Sequence, residues 1–174
     1  MKVFINPGHD ILLDSGAVNP ETGDRECDIV KTAGELLEGY LQSAGVETNK
    51  MQDDDLNAVC AKSNEWGADV FVSLHCNACE KHNAVGTETW FKSFEGQRLA
   101  SCIQSQIIRS IATIDRGIKR TDGLWVLNDT DAVSVLVELG FIDNDSDLTM
   151  LKYDLDTLVR AIARGVTDYE QLPR

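Results

Sequence analysis

The chain has 174 residues, 43% of them apolar and 26% charged, a composition that fits one globular domain with a sizeable core. Its formal charge of −13 excludes nucleic acid and anionic membrane surfaces as partners, because both demand a basic face, and no apolar run is long enough for membrane insertion. The five cysteines, Cys27, Cys60, Cys76, Cys79 and Cys102, are odd in number and lie mostly in apolar patterns, which suits reduced thiols better than a disulfide framework.

KVFIN at the start reads as a short buried strand, broken by the Pro7-Gly8 turn with His9 just beyond it. Residues 25–44 carry Ile29, Val30, Ala33, Leu36, Leu37, Tyr40, Leu41 and Ala44 at helical spacing, and Gly45 stops the run. A second strand is expected over 46–51 and a second helix over 56–66. DVFVSLH, at 69–75, is continuously apolar rather than alternating, as expected of a strand covered on both faces. A further strand is expected over 86–92, and a helix over 95–114 with Leu99, Cys102, Ile103, Ile107 and Ile111 inward. SVLVELGFI, at 134–142, contains another buried strand, and 154–169 closes the chain as an amphipathic helix. Strands alternating with helices imply an α/β fold: one domain over 1–174, with a mostly parallel twisted sheet and helices on both faces.

In such a sheet, ligands bind outside the carboxyl ends of the strands, where loops and helix N-termini gather. His9 follows the first strand, His75 ends DVFVSLH, and Glu138 lies inside SVLVELG. Glu26 sits in the first turn of the first helix, on a line with Val30, Ala33 and Leu37, so it shares the face turned towards the sheet. A carboxylate at the inward end of an apolar stripe is costly unless something pairs with it. Two histidines and an inward carboxylate at one edge form a ligand set for catalytic zinc, which leaves Glu138 free to move protons. Taken singly, each has a plainer reading: a surface histidine after a turn, or a first-turn glutamate favoured by the helix dipole. Glu138 is harder to place that way, because a buried strand seldom carries an unpaired carboxylate.

The chain resembles the zinc-dependent N-acetylmuramoyl-L-alanine amidases of bacterial cell-wall turnover, the amidase type 3 family. The likeness rests on INPGHD with the following DSGAVNP, on RECD, on ADVFVSLHCNA with Asn77, and on RGIKR followed by LWVLNDT and LVELGFIDN. The resemblance implies one catalytic Zn²⁺ held by His9, Glu26 and His75, with Glu138 as the catalytic glutamate. It implies hydrolysis of the amide between the lactyl group of N-acetylmuramic acid and L-alanine of the stem peptide. The expected partner is therefore peptidoglycan or a muropeptide, and the expected state a monomer without a separate wall-binding module. Three positions depart from the family pattern: Asp10 stands where a glycine is usual, LNAVCAKSN lacks the arginine before its asparagine, and AVSV lacks a proline. None of them removes a ligand.

A zinc peptidase or deacylase acting on another amide would use the same metal and base, and a non-catalytic peptidoglycan-binding module would share the fold. The N-terminus has one lysine followed directly by the strand-like run, so no signal peptide is expected. The expected route is synthesis in the cytoplasm and action on the wall after release, in the manner of a phage-type lysin, or excision from a secreted protein. Cys76 and Cys79 form a C-x-x-C pair whose simplest reading is two loop thiols beside the site. The runs DDD and DNDSD read as helix caps and solvated loops rather than calcium ligands. Trp90, Trp125 and Tyr153 are candidates to line a sugar or peptide groove, or to pack at the core and rim. The short connection from Asn77 to the strand at 86 predicts an open cleft.

Overall fold

The computed structural model describes residues 1–173. In chain order its elements are β1 (Lys2–Pro7), α1 (Glu26–Ser43), β2 (Glu47–Lys50), α2 (Leu56–Trp66), β3 (Val70–Asn77), β4 (Thr87–Phe91), α3 (Phe94–Ser110), β5 (Asp115–Arg120), α4 (Trp125–Asp129), β6 (Val133–Phe141), α5 (Asp145–Tyr153) and α6 (Leu155–Glu170). The strands form one six-stranded sheet in the order β2-β1-β3-β6-β4-β5. β2, β1, β3 and β6 are parallel, β4 runs antiparallel to β6, and β5 runs parallel to β4. The expected mostly parallel α/β sheet is therefore present, with a reversed pair at one edge.

The continuous apolar runs of β1, β3 and β6 occupy the middle of the sheet because both faces there are covered. On one face Val3, Ile5, Val72, Leu74, Val135 and Val137 pack against α1, α3 and α6 in the larger core. Removing one such aliphatic side chain from water stabilises the fold by about 1.5–3 kcal/mol. The opposite face carries a smaller core of Phe4, Phe71 and Leu136 with Val59 and Cys60 of α2 and Val126 and Leu127 of α4. The rings of Phe4 and Phe71 stack at 5.7 Å. α2 and α4 are short, with 11 and 5 residues, and this second core stops at Leu136. The next residue on that face of β6 is Glu138, level with His75 on β3. The uncovered strip becomes the site.

Several element boundaries differ from the sequence expectation for local reasons. β5 went unpredicted because it is an edge strand built largely of charged residues, Asp115, Arg116, Lys119 and Arg120. α4 has too few residues to show a helical period. The DNDSD run contains the cap of α5: Asn144 Oδ1 accepts from the amides of Ser146 and Asp147. Asp55 of the DDD run caps α2 in the same way. β3 continues past His75, so Cys76 is a buried strand residue in the larger core and not a loop thiol; Cys79 alone stays in the loop.

Candidate metal and catalytic site

β1 ends at Pro7, and the Gly8 amide donates to the Leu74 carbonyl, tying the start of the turn to β3. His9 then takes a left-handed conformation, φ 64°, which is uncommon for a residue with a side chain and costs on the order of 1 kcal/mol or more. The turn sets its ring across the strand ends towards His75, with centroids 5.1 Å apart and planes at 76°. Gly8 is required for this approach, because a Cβ there would lie 2.2 Å from Cε1 of His75.

The chain next loops back on itself. Asp10 Oδ1 accepts from the amides of Leu12 and Leu13, and Asp10 and Asp14 pair through their backbones. Asp14 is thereby returned to His9, where its Oδ2 lies 2.6 Å from Nδ1 while its Oδ1 accepts from the Gly16 amide. Nε2 of His9 is left facing Glu26 Oε2 at 3.1 Å.

Glu26 opens α1 on its inward face, as the wheel position predicts, and is only 2% exposed. Its Oε1 accepts from the Cys76 amide and meets His75 Nδ1 at 3.0 Å. Its Oε2 accepts from the Ala17 amide beside the His9 contact. Burial opposes ionisation of this carboxyl, but the bonds to His75 and His9 outweigh it and hold the pKa down to about 2. The bond to Glu26, helped by Asp14 and opposed by burial, raises His9 to about 9. Gly16 faces this cluster as well; a Cβ there would stand 2.5 Å from His9 and 2.6 Å from Glu26.

His9, Glu26 and His75 thus bring one ligand atom each to within 4.8 Å of one another, and they are the only such set among the described residues. The donors suit zinc: two imidazole nitrogens, a buried carboxylate, and a second carboxylate fixing the ring and tautomer of His9. His82 stays apart, bonded through Nδ1 to Asp143.

Glu138 stands beside this set, paired across the sheet with His75. Its Oε2 is buried and accepts no hydrogen bond from a described residue. Burial, with the charges of Glu26 and Glu88, raises its pKa to about 8. On β4, Glu88 lies opposite Glu138 in register and is 2% exposed. Glu88 Oε2 receives Arg116 Nε at 2.6 Å and Lys119 Nζ at 2.5 Å; Oε1 accepts from Trp90 Nε1 and Asn77 Nδ2. Burial works against its ionisation, yet Lys119 and Arg116 hold its pKa below the ordinary carboxylate value.

A pocket of about 200 Å³ runs beside His9 and His75, walled on its apolar side by Leu56, Leu124, Trp125 and Leu136. Trp125 is half-exposed there, whereas Trp90 lies on the sheet under Lys119, and Tyr153 is exposed at the end of α5. Only one of the three candidate groove aromatics therefore borders the metal cluster. The connection from 78 to 86 forms turns, anchored by Asp143 to the Cys79 amide and by Asp147 to the Gly86 amide.

All four residues singled out in the sequence meet at one place. Asp14 and Glu88 were not singled out. Glu88 had a detectable signal, a carboxylate inside the apolar run TETWF; Asp14 had only its place five residues after His9.

The family described as N-acetylmuramoyl-L-alanine amidase matches residues 3–168. The uncharacterized protein YqiI of Bacillus subtilis is 39% identical over 177 residues, covering 96% of this chain and 84% of YqiI. The N-acetylmuramoyl-L-alanine amidase LytC of the same organism is 32% identical over 96% of this chain, which spans only 35% of LytC. Among solved structures, the N-acetylmuramoyl-L-alanine amidase AmiC2 of Nostoc punctiforme superposes with a TM-score of 0.92 at 27% identity, covering 99% of this chain and 98% of that one.

Proposed function

The chain belongs to the N-acetylmuramoyl-L-alanine amidase family, and we propose that it is a zinc-dependent hydrolase of peptidoglycan, cleaving the amide between N-acetylmuramic acid and the L-alanine of the stem peptide. The observation that carries the reading is the unpartnered, buried Oε2 of Glu138 beside the His9, Glu26 and His75 cluster. A buried carboxylate oxygen without a partner costs free energy, and such a cost is retained where the group has chemistry to perform.

His9, Glu26 and His75 would hold the ion. When bound, zinc supplies Lewis acidity, polarising the scissile carbonyl and bringing the pKa of a water to about 7. Asp14 keeps the proton of His9 on Nδ1, so that Nε2 faces the site with its lone pair. Glu138 Oε2 takes the proton of the attacking water and returns it to the departing alanine nitrogen, which leaves poorly as an anion. A carboxyl raised towards the working pH serves both halves of that transfer. The uncovered strip beyond Leu136 admits the glycan-linked peptide, with Trp125 and Leu56 as its apolar wall. The reading places synthesis in the cytoplasm and action on the wall, reached by release at lysis or by export of a longer chain.

The test is digestion of purified peptidoglycan with and without a chelator, with products identified by mass spectrometry. Free stem peptides beginning at L-alanine, lost with chelator and restored by zinc, are expected. Intact glycan–peptide linkages from a sample holding stoichiometric zinc would sink the reading.

A further inference from the structure

Along one face of the sheet, four adjacent strands carry a single row of charged groups. His75 on β3 pairs with Glu138 on β6, Glu138 pairs with Glu88 on β4, and Arg116 and Lys119 reach Glu88 from β5. Two cations meet one buried carboxylate, so the end of the row carries one positive charge in excess. The opposite end of the row is acidic: Glu26 belongs to the metal cluster, Asp14 and Asp54 line the pocket beside it, and the chain as a whole carries −13.

Neither cation is used up by Glu88. Arg116 bonds through Nε only, and its two terminal nitrogens donate to no described residue. Lys119 makes one hydrogen bond with a group that has three protons to give. Both are held in place: the Arg116 guanidinium lies 4.9 Å from the Phe141 ring centroid, and the Lys119 ammonium 5.1 Å from that of Trp90. About a third of each side chain remains open to solvent, 32% and 31%. A fixed planar fork with free N–H groups is the usual receptor for a carboxylate.

The spacing indicates which carboxylate. Neighbouring strands lie about 4.8 Å apart, so cations that reach Glu88 stand about one strand spacing from Glu138. A peptide advances about 3.3–3.6 Å per residue, so the group presented there belongs to the residue after the alanine at the scissile bond. In a peptidoglycan stem that residue is an acidic amino acid linked onward through its side chain. Its main-chain carboxyl is therefore free, unless it has been converted to a carboxamide.

We propose that Arg116, assisted by Lys119, receives the free carboxylate of the second stem residue and makes the enzyme selective for stems that are not amidated there. The inference rests on the peptidoglycan reading above. Arg116 and Lys119 are specificity residues under it, and Glu88 holds them in position.

The test uses zinc-loaded protein and two glycan-linked tripeptides that differ only in a carboxylate or a carboxamide on the second residue. The readout is the ratio of the two kcat/KM values, which cancels any general damage to the site. Charge-assisted hydrogen bonds of this kind correspond to a preference of about ten- to hundredfold for the acid. Arg116→Gln should bring the ratio towards one, and Arg116→Lys should leave part of it. Lys119→Gln is the second variant and keeps Arg116 to pair with Glu88; it should lower the ratio as well. A wild-type ratio within twofold of one, or a preference that neither the Arg116→Gln nor the Lys119→Gln variant alters, overturns the proposal. Failure of the wild type to release peptide from either substrate or from whole peptidoglycan sinks the peptidoglycan reading itself, and the proposal with it.

Discussion

Replacing Asp14 by alanine removes the carboxylate that holds His9 from behind while leaving the three candidate metal donors, His9, Glu26 and His75, in the chain. Asp14 makes two contacts, Oδ2 to His9 Nδ1 at 2.6 Å and Oδ1 from the Gly16 amide at 3.0 Å. Without the first, the imidazole is free to turn and to carry its proton on either nitrogen. Partners of this kind are worth about 10- to 100-fold in metal affinity. The Asp14 side chain is 47% exposed, so water replaces part of what is lost, and the lower end of that range applies. The expected loss is therefore about tenfold in zinc Kd, or about 1.4 kcal/mol. Asp14→Asn retains the Gly16 bond and an acceptor for Nδ1–H, and should lose only a few-fold. Competition against a chromophoric chelator at neutral pH measures both. Zinc binding by the alanine variant within twofold of wild type would show that His9 needs no support.

Three further outcomes are expected. Glu138→Gln should retain stoichiometric zinc and lose about 10²–10⁴-fold in kcat/KM on peptidoglycan; because the pKa of Glu138 is raised from 4.5 to about 8, ionising it costs stability as pH rises through that interval, so the metal-free variant should unfold at higher urea than wild type above pH 8. Gly16→Ala puts a side chain at φ 64° and within 2.5 Å of His9, and should lower stability by about 2 kcal/mol or more in urea unfolding; an unchanged midpoint would contradict the close packing described here. In the metal-free protein the His9 pKa is raised from 6.5 to about 9 and that of Glu26 lowered from 4.5 to about 2, so their pairing stabilises fully between pH 4.5 and 6.5, fading as pH rises through 9 or falls through 2. Zinc must displace the His9 proton, so apparent zinc affinity should rise about tenfold per pH unit up to pH 9, and a flat profile in calorimetric titrations would contradict the assignment.

The fold was legible where burial imposes a pattern. The unbroken runs of β1, β3 and β6 announce central parallel strands, and the 3.6-residue spacing in α1 alone puts Glu26 on the inward face. The site was legible for a related reason. A polar residue at the end of a buried run, inside one, or on the inward face of a helix is conspicuous, and His9, Glu26, His75 and Glu138 converge. What escaped depends on geometry that a linear pattern does not carry. β5 consists largely of charges because its inner ones answer to Glu88, a partner 28 and 31 residues away. The role of Asp14 arises from a turn whose closure rests on Asp10 side-chain bonds, and Gly8 and Gly16 matter only for what a Cβ would strike. β3 ends two residues beyond the apolar run that marks it in the sequence, and this is what carries Cys76 into the strand.

Strand order gives β6 a duty beyond carrying Glu138. In the sheet β2-β1-β3-β6-β4-β5 it is the only link between the block that bears His9 and His75 and the block that bears Glu88, Arg116 and Lys119. Yet it is the last strand to be synthesised. The three candidate metal donors are complete by residue 75, whereas Glu138 arrives only with this strand. β6 therefore joins two ribbons whose strands all precede it in the chain, and a substitution that weakens its pairing on either edge would part the His75 row from Glu88 and its two cations.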